Sequence, residues 1–266
     1  MLFREAMEHF KVYQLTNDKS QNTIHSYHND LTFFVRHLVE TFNCTPYLSD
    51  VTEDDIEQYL FYLKETRGYT AASLKRKLSV FRTFFNFCNK KKYCTKNAAV
   101  DVESIKVKQQ ERLYLDDTEV MQIAGRIEHD LARLMVLTLF YTGLRISECI
   151  NLKLEDVNLT KKVIRVVEGK GKKERLIPIH HALLLLLEDY KANHRPYTRT
   201  KNFFSTPTSG RVSATYVNKF ISKAVKELGW AGKISAHTMR HAFASNLVKH
   251  NIHVVQIQKL LGHSSL

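Results

Sequence analysis

Clear signals for β-structure occur in only one stretch of this chain, and this limits the folds that its 266 residues can form. The stretch "KKVIRVVEGKGKKERLIPIH" holds two runs rich in β-branched residues, 163–167 and 176–179, around a glycine-rich turn, which predicts a β-hairpin. The segment "NFFS", 202–205, is a candidate for one more short strand. Elsewhere the apolar spacing is helical. We therefore expect a mainly α fold, with a small antiparallel β-sheet in the second domain.

The first hundred residues carry helical patterns. In "NTIHSYHNDLTFFVRHLVETF", apolar residues recur at three- and four-residue steps from Ile24 to Leu38, which describes one face of a helix. "TEDDIEQYLFYLKE" repeats the pattern, with Thr52 as N-cap and acidic residues in the first turn. The following stretch "DVESIKVKQQER" is polar and has no apolar face. These patterns predict a helical domain over 1–104, a linker over 105–112 and a second domain over 113–266.

A third helical segment, "TAASLKRKLSVFRTFFNFCNKKKY", has an apolar side and a basic side. We assign to the apolar side Leu74, Leu78, Phe81 and Phe85, and to the basic side Lys75, Arg76, Lys77 and Arg82. Two interpretations are open, because basic residues can simply solvate the outer face of a surface helix or can contact DNA. The basic runs "KRK" and "KKK" bracket the segment in a basic chain, which favours DNA contact.

Charge favours a polyanionic partner. The chain has 40 Lys and Arg against 27 Asp and Glu, which gives a formal net charge of +13. The excess is concentrated in the last quarter, where residues 201–266 contain a single acidic residue, Glu227. We expect this quarter of the chain to face a polyanion.

The sequence also predicts where the chain acts. No apolar run approaches the roughly 18 residues that a membrane-spanning helix needs, and the longest is 182–187. The start, "MLFREAMEHFK", has the pattern of an amphipathic helix and not of a secretory signal. The four scattered cysteines form no C-x₂-C pair, so we expect reduced, packing cysteines. Together these features predict a cytoplasmic protein.

Four short stretches carry candidate chemistry. In "YTGLRISEC", Gly143 ends one helix, and Arg145 and Glu148 belong to the start of the next. In "EGKGKKER", Lys170 lies between two glycines at the tip of the hairpin. "SAHTMRHAFASNL" places His237 and Arg240 three residues apart at a helix N-terminus, where both can converge on one anion. In "QKLLGHSSL", a helix ends at Gly262 and His263 follows it.

This set suits phosphoryl transfer without a metal ion. Guanidinium groups bind the non-bridging oxygens of a phosphodiester and neutralise charge that develops in the transition state. A lysine can protonate a departing alkoxide, and a histidine can accept a proton or hold the phosphate. The competing hypothesis is a metal-dependent nuclease using His237, His241 and nearby acidic residues. The glutamate of an H-E-x-x-H motif is missing and no third ligand is evident, so we predict no metal.

Taken together, "TGLRISE", "GKGKKER", "HTMRHAFASNL" and "LLGHSSL" resemble the motif regions of the tyrosine recombinases, or phage integrase family, in order and spacing. The resemblance covers essentially the whole chain, because a helical core-binding domain followed by a catalytic domain is the organisation of that family. It implies a site-specific DNA recombinase that acts in integration, excision or resolution.

The resemblance also implies roles for individual residues. Arg145 and Arg240 would clamp the scissile phosphate, and Lys170 would be the general acid for the 5′-hydroxyl leaving group. His237 would handle the proton of the nucleophile, and His263 would hydrogen-bond the phosphate. Glu148 would contact these residues, and not the substrate, and so orient the site.

The family's nucleophile is a tyrosine a short helix-length beyond the motif matched by His263, whereas the last of the twelve tyrosines here is Tyr216. The nucleophile is therefore expected beyond Leu266, and the chain by itself is expected not to cleave DNA. The reaction implied needs no cofactor, because a 3′-phosphotyrosyl link conserves the phosphodiester energy. The partners implied are double-stranded DNA with a specific site and three further protomers, four on two duplexes. The alternative is a DNA-binding architectural or regulatory protein that does not cleave.

Overall fold

The computed structural model describes residues 1–107, 114–167 and 174–262. The chain divides into two compact units, Met1–Gln110 and Glu111–Leu266, and the division falls inside the stretch expected to be a linker. Helices dominate both units, and an antiparallel sheet occurs in the second. The predicted fold class, mainly α with a small antiparallel sheet in the second half, is confirmed.

The first unit is built from α1 (Phe3–Thr16), α2 (Gln21–Phe42), α3 (Glu53–Glu65) and α4 (Ala71–Lys90). Side-chain caps fix where three of them begin, because Ser20, Thr52 and Thr70 each accept a hydrogen bond from the backbone N–H three residues later. The helices bury a core of interlocking aromatic rings. Phe34 contacts Phe81 at a centroid distance of 4.8 Å, for example. All four apolar positions predicted for α4 are buried in this core.

The basic side predicted for α4 needs a correction at Lys77. The residue is only 3% exposed, its Nζ lies 2.7 Å from a carboxylate oxygen of Asp30 and it stands over the ring of Tyr69. Helical spacing explains the error, because Lys77 lies three residues after Leu74 and four before Phe81, on the apolar face. The prediction of one exposed basic face is therefore wrong at this position.

The other three basic residues of that prediction differ in their surroundings. Lys75 is exposed. Arg76 is half-exposed and contacts Asp30 at 2.8 Å. Arg82 is partly buried and donates hydrogen bonds to the carbonyl oxygens of Ala99 and Val102, so it fastens the segment after α4 to that helix.

The second unit combines helices with a small sheet. Its elements are α5 (Asp117–Arg126), α6 (Asp130–Thr142), α7 (Ile146–Asn151), β1 (Val157–Asn158), β2 (Val163–Val167), β3 (Glu174–Pro178), α8 (His181–Asp189), α9 (Ala214–Glu227), α10 (Ala236–Lys249) and α11 (Val254–Leu261). The strands lie in the order β1-β2-β3, all antiparallel, with Ile164 opposite Ile177. The predicted hairpin is thus confirmed, and its tip, 168–173, lies outside the described residues.

The third strand differs from the prediction. The segment 202–205 forms only an isolated bridge between Asn202 and Lys153, and β1 completes the sheet instead. Phe203 and Phe204 are fully buried, which accounts for the apolar signal in "NFFS". A short apolar run cannot by its composition distinguish a strand from another buried segment.

Helix α6 lies at the centre of the second unit. Most of its residues are buried and it packs against α5, α8, α9 and α10, which explains why it is apolar on nearly every side. Ile257 and Leu261 of helix α11 form a separate, small apolar cluster with Phe243 of α10. Within the described residues, no helix is both long and apolar enough to cross a membrane.

The buried ion pair of the first unit leads to a stability prediction. Lys77→Ala leaves the Asp30 carboxylate buried with one ammonium partner fewer, so we expect a loss of about 3 kcal/mol in the free energy of unfolding. Lys75→Ala, two positions away on the exposed side of the same helix, should change it by less than about 0.5 kcal/mol. Urea unfolding of both variants measures the difference. Equal losses would contradict a structural role for Lys77.

Candidate active site

The site begins where α6 ends. Gly143 has a φ of 64° and closes α6 in the left-handed conformation, which turns the chain so that Arg145 becomes the N-cap of α7. Glu148 lies one turn into α7 and accepts a hydrogen bond from the backbone N–H of Arg145 at 2.7 Å. Its other oxygen accepts from the Arg145 guanidinium at 2.8 Å. The motif "GLRISE" therefore folds into a local unit in which the Glu148 carboxylate binds both the backbone N–H and the guanidinium of Arg145.

Arg240 reaches the same carboxylate from a distant part of the sequence. It projects from α10, where its side chain is 6% exposed, and its Nη1 lies 3.9 Å from Glu148 Oε2. The guanidinium donates to the carbonyl oxygens of Gly143, at 2.5 Å, and Leu261, at 2.7 Å. The structure thus brings together Arg145 and Arg240 as their motifs predicted. The Arg145 side chain is 41% exposed, so Arg145 is the more solvent-accessible member of the pair.

A third arginine, Arg175 on β3, belongs to the same cluster and was missed by the sequence reasoning. Its Nη2 lies 2.7 Å from Glu148 Oε2, and its Nε donates to the carbonyl oxygen of Leu260 at 2.9 Å. A signal for it exists in the sequence. Side chains two residues apart on a strand share a face, so Arg175 lies on the same side of β3 as Ile177, a β-branched residue of the predicted hairpin that is buried in the structure.

The cluster is electropositive. Burial raises the pKa of the Glu148 carboxyl, but hydrogen bonds from the Arg175 guanidinium and from the backbone and side chain of Arg145 outweigh it, so the pKa lies below its ordinary value. Glu148 is therefore ionised at neutral pH. One carboxylate against three guanidinium groups leaves an excess of positive charge that can attract an anion.

His237 lies at the beginning of α10, one turn before Arg240. It is the second residue of the helix, where backbone N–H groups have no partner within the helix, and its side chain is exposed. Its ring contacts that of His241 at a centroid distance of 4.4 Å. In the described ranges, no three His, Cys, Asp or Glu side chains are grouped as metal ligands would be.

Two predicted site residues, Lys170 and His263, lie outside the described residues. The last tyrosine of the sequence, Tyr216, can be placed. Its hydroxyl is 2.9 Å from a ring nitrogen of His129, the N-cap of α6. Since the 13 residues of α6 span about 20 Å, this tyrosine is far from the arginine cluster at the other end of the helix.

Comparisons with known sequences match both units of the chain. Residues 113–266 match the sequence profile of the Phage integrase family, and residues 7–92 match that of the Phage integrase, N-terminal SAM-like domain. The first match covers every residue of the cluster described above. The second unit therefore matches the Phage integrase family over its whole arginine cluster.

Individual relatives agree along nearly the whole chain. The tyrosine recombinase XerD of Staphylococcus saprophyticus is 30% identical over 97% of this chain and 90% of its own length. The tyrosine recombinase XerC of Thermodesulfovibrio yellowstonii is 31% identical over 95% of this chain and 85% of its own. Among solved structures, a lambda integrase dimer bound to a COC′ core site has a TM-score of 0.80 at 20% identity, covering 100% of this chain and 96% of that one. This last likeness shows the fold.

The turn at Gly143 can be tested against a matched glycine. A Cβ at Gly143 would lie 2.3 Å from Cδ1 of Phe243, whereas one at Gly229, which has a similar positive φ of 68°, meets nothing within 4 Å. Gly229→Ala should lose about 1 kcal/mol of unfolding free energy from backbone strain alone. Gly143→Ala should lose about 3 kcal/mol, because overpacking is added. Denaturant unfolding measures both, and equal losses would mean that Phe243 moves aside freely.

Glu148 predicts an acid-sensitive contribution to stability. Its folded-state pKa lies below the unfolded value, so the ionised carboxylate stabilises the fold at neutral pH and this contribution is lost as pH falls through the folded-state pKa. Glu148→Gln should cost about 3 kcal/mol at pH 7. The difference from the unchanged chain should shrink below about pH 4. Unfolding experiments across this range, with the exposed Glu155→Gln as control, test it. A difference that does not vary with pH would contradict the ionic role.

Proposed function

The chain belongs to the phage integrase family of tyrosine recombinases, and from this we propose that it recombines DNA at specific sites through a 3′-phosphotyrosyl intermediate. The family supports site-specific DNA recombination as the general activity. The chemistry below is the finer proposal, and it rests on the arginine cluster of the second unit.

The observation that carries the proposal is the convergence of Arg145 and Arg240 on the single carboxylate of Glu148. Two guanidinium groups tied to one anchor keep a fixed separation, which is what bidentate recognition of a phosphodiester requires. Each guanidinium has five N–H donors and can contact Glu148 and a phosphate together. We propose that this pair is the phosphate clamp, with Glu148 as its orienting residue.

The remaining roles follow from the motifs. A tyrosine hydroxyl attacks phosphorus, its proton passing to His237, while Lys170 gives a proton to the departing 5′-oxygen and His263 binds the phosphate. The products are a 3′-phosphotyrosyl link and a 5′-hydroxyl. The hydroxyl of a partner strand then attacks this link, restores a phosphodiester and releases the tyrosine. One phosphoester bond is exchanged for another in each step, so neither ATP nor a metal ion is consumed.

The tyrosine itself is proposed to come from outside residues 1–266. Tyr216 lies about 20 Å from the cluster, too far for direct attack on a phosphate held by Arg145 and Arg240. The chain as it stands would then bind DNA without cleaving it. This position of Tyr216 also supports the second candidate function, a DNA-binding architectural or regulatory protein that never cleaves.

DNA is the proposed partner under both functions. The net charge of +13 suits a polyanion, and exposed basic residues such as Lys75 on α4 are candidates for phosphate contacts. For the recombinase we further propose assembly of four protomers on two duplexes. The lambda integrase neighbour is a dimer on its core site, which is consistent with protomers that meet on DNA.

A covalent adduct with DNA distinguishes the two functions. Duplexes that bind the chain are selected from a random library and nicked to trap cleavage. The chain extended by its downstream codons to the next tyrosine should form an adduct that survives denaturing electrophoresis. Arg240→Ala in the extended chain should slow adduct formation by about 100-fold or more, because a transition-state contact is lost.

Two controls complete this experiment. Arg165→Ala, which removes an arginine of β2 paired with Asp156 and Glu174, should leave the adduct rate unchanged. Residues 1–266 alone should bind the selected duplex and form no adduct. An adduct rate that survives Arg240→Ala would overturn the clamp. An extended chain that binds DNA and never forms an adduct would favour the non-cleaving function.

A further inference from the structure

The C-terminal end of α11 is held by the same three arginines that surround Glu148. Its consecutive carbonyl oxygens at residues 260, 261 and 262 accept hydrogen bonds from Arg175 at 2.9 Å, Arg240 at 2.7 Å and Arg145 at 3.5 Å, respectively. The last carbonyls of a helix have no partner within it and form the negative end of its dipole. Three cations from three different elements thus cap one helix.

The apolar packing of this helix against the unit is small. Helix α11 has eight residues, and its buried residues are Ile257 and Leu261. These join a small cluster with Phe243 that is separate from the main core of the second unit. Its first turn, with Val254 and Val255, is exposed. A helix this short gains most of its stability from tertiary contacts, so the arginine–carbonyl bonds at its end matter.

Arg175 differs from the other two arginines in its position. It projects from a strand of the sheet, whereas Arg145 and Arg240 belong to the starts of α7 and α10, and its side chain is 9% exposed, against 41% for Arg145 and 6% for Arg240. Its guanidinium donates short, direct hydrogen bonds to Glu148 and to the carbonyl oxygen of Leu260. It therefore joins β3, α7 and α11 through a single side chain.

We propose that Arg175 is a positioning residue that fixes the C-terminal end of α11 beside Arg145 and Arg240 by binding Glu148 and the Leu260 carbonyl together. The inference rests on the proposed function only in calling that pair a phosphate clamp. Arg175 acts through Glu148 and α11 without touching a substrate. The bond from Arg175 to the Leu260 carbonyl fixes the end of α11. The position from which the chain continues past Gly262, relative to the phosphate clamp, therefore depends on Arg175.

Hydrogen exchange of the full chain tests the anchor directly. In Arg175→Gln, amides within 257–262 should exchange about 10- to 100-fold faster, the range expected for loss of hydrogen bonds to a charged group. Amides of α6 and α9 should keep their rates. Arg175→Lys keeps the charge but not the planar fork, so it should restore part of the protection. Arg165→Gln, on the neighbouring strand, where the arginine pairs with Asp156 and Glu174, should leave α11 unchanged.

Several outcomes would overturn the proposal. The first is an exchange rate of α11 amides in Arg175→Gln that equals the rate in the unchanged chain. The second is an acceleration of exchange in α6 and α9 as large as that in α11. The third is a rate in Arg175→Lys as fast as that in Arg175→Gln. If Arg175→Gln does not fold, Arg175→Lys alone decides, since its α11 protection must still fall relative to that of the rest of the unit. A global loosening would mean that Arg175 has a general structural role.

Binding of inorganic phosphate, measured at constant ionic strength, tests whether the Arg175 anchor supports the phosphate clamp. Phosphate should slow exchange at the start of α10 in the unchanged chain, and Arg175→Gln should need about tenfold more of it, as expected for loss of one charge-assisted contact in the network. Equal phosphate requirements would overturn the link between anchor and clamp. If phosphate has no effect on the unchanged chain while the α11 contrast persists, the proposed clamp fails and the anchor is supported.

Discussion

The second unit depends on one partly buried carboxylate. Glu148 receives the guanidinium groups of Arg145, Arg240 and Arg175, which come from the start of α7, from α10 and from β3. These positions are separated by up to 95 residues of sequence, so the carboxylate is the point where distant parts of the chain meet. An ionised group with little exposure is stable only when it is paired, and the lowered pKa of Glu148 reflects this pairing. Without the carboxylate, three cations would face one another across a small space.

The first unit contains a related arrangement with a different consequence. Asp30 is buried and receives Lys77 and Arg76, so a carboxylate again holds two cations. There the buried Lys77 ammonium compensates the carboxylate inside a helical core, beside the ring of Tyr69, and the half-exposed Arg76 adds one further cation. At Glu148 three guanidinium groups meet one carboxylate, and Arg145 remains partly open to solvent. The excess is therefore two positive charges at Glu148 against one at Asp30, which makes the Glu148 cluster the stronger candidate for binding an anion.

Much of this was accessible from the sequence, for identifiable reasons. Helix ends are encoded locally, so Gly143 after α6 and the threonine cap of α3 were predictable from a few neighbouring residues. Arg145 and Arg240 were found because their motifs are short and local. Lys77 was misplaced because its charge was given more weight than its helical spacing. Arg175 was missed because its partners, Glu148 and the Leu260 carbonyl, are distant in sequence and one of them is a backbone group that no side-chain pattern reveals.

The sequence by itself determined the periodicities and the caps, and hence the helices, the hairpin and the order of the motifs, because these depend on residues within one or two turns of each other. Only the tertiary structure decided which cations share an anion. It placed Arg175 in the cluster, moved Lys77 into a core and set Tyr216 at the far end of α6 from the arginines. The physical reason is that a buried charge must find its partner in space, and the distance between two side chains is fixed by how helices and strands pack.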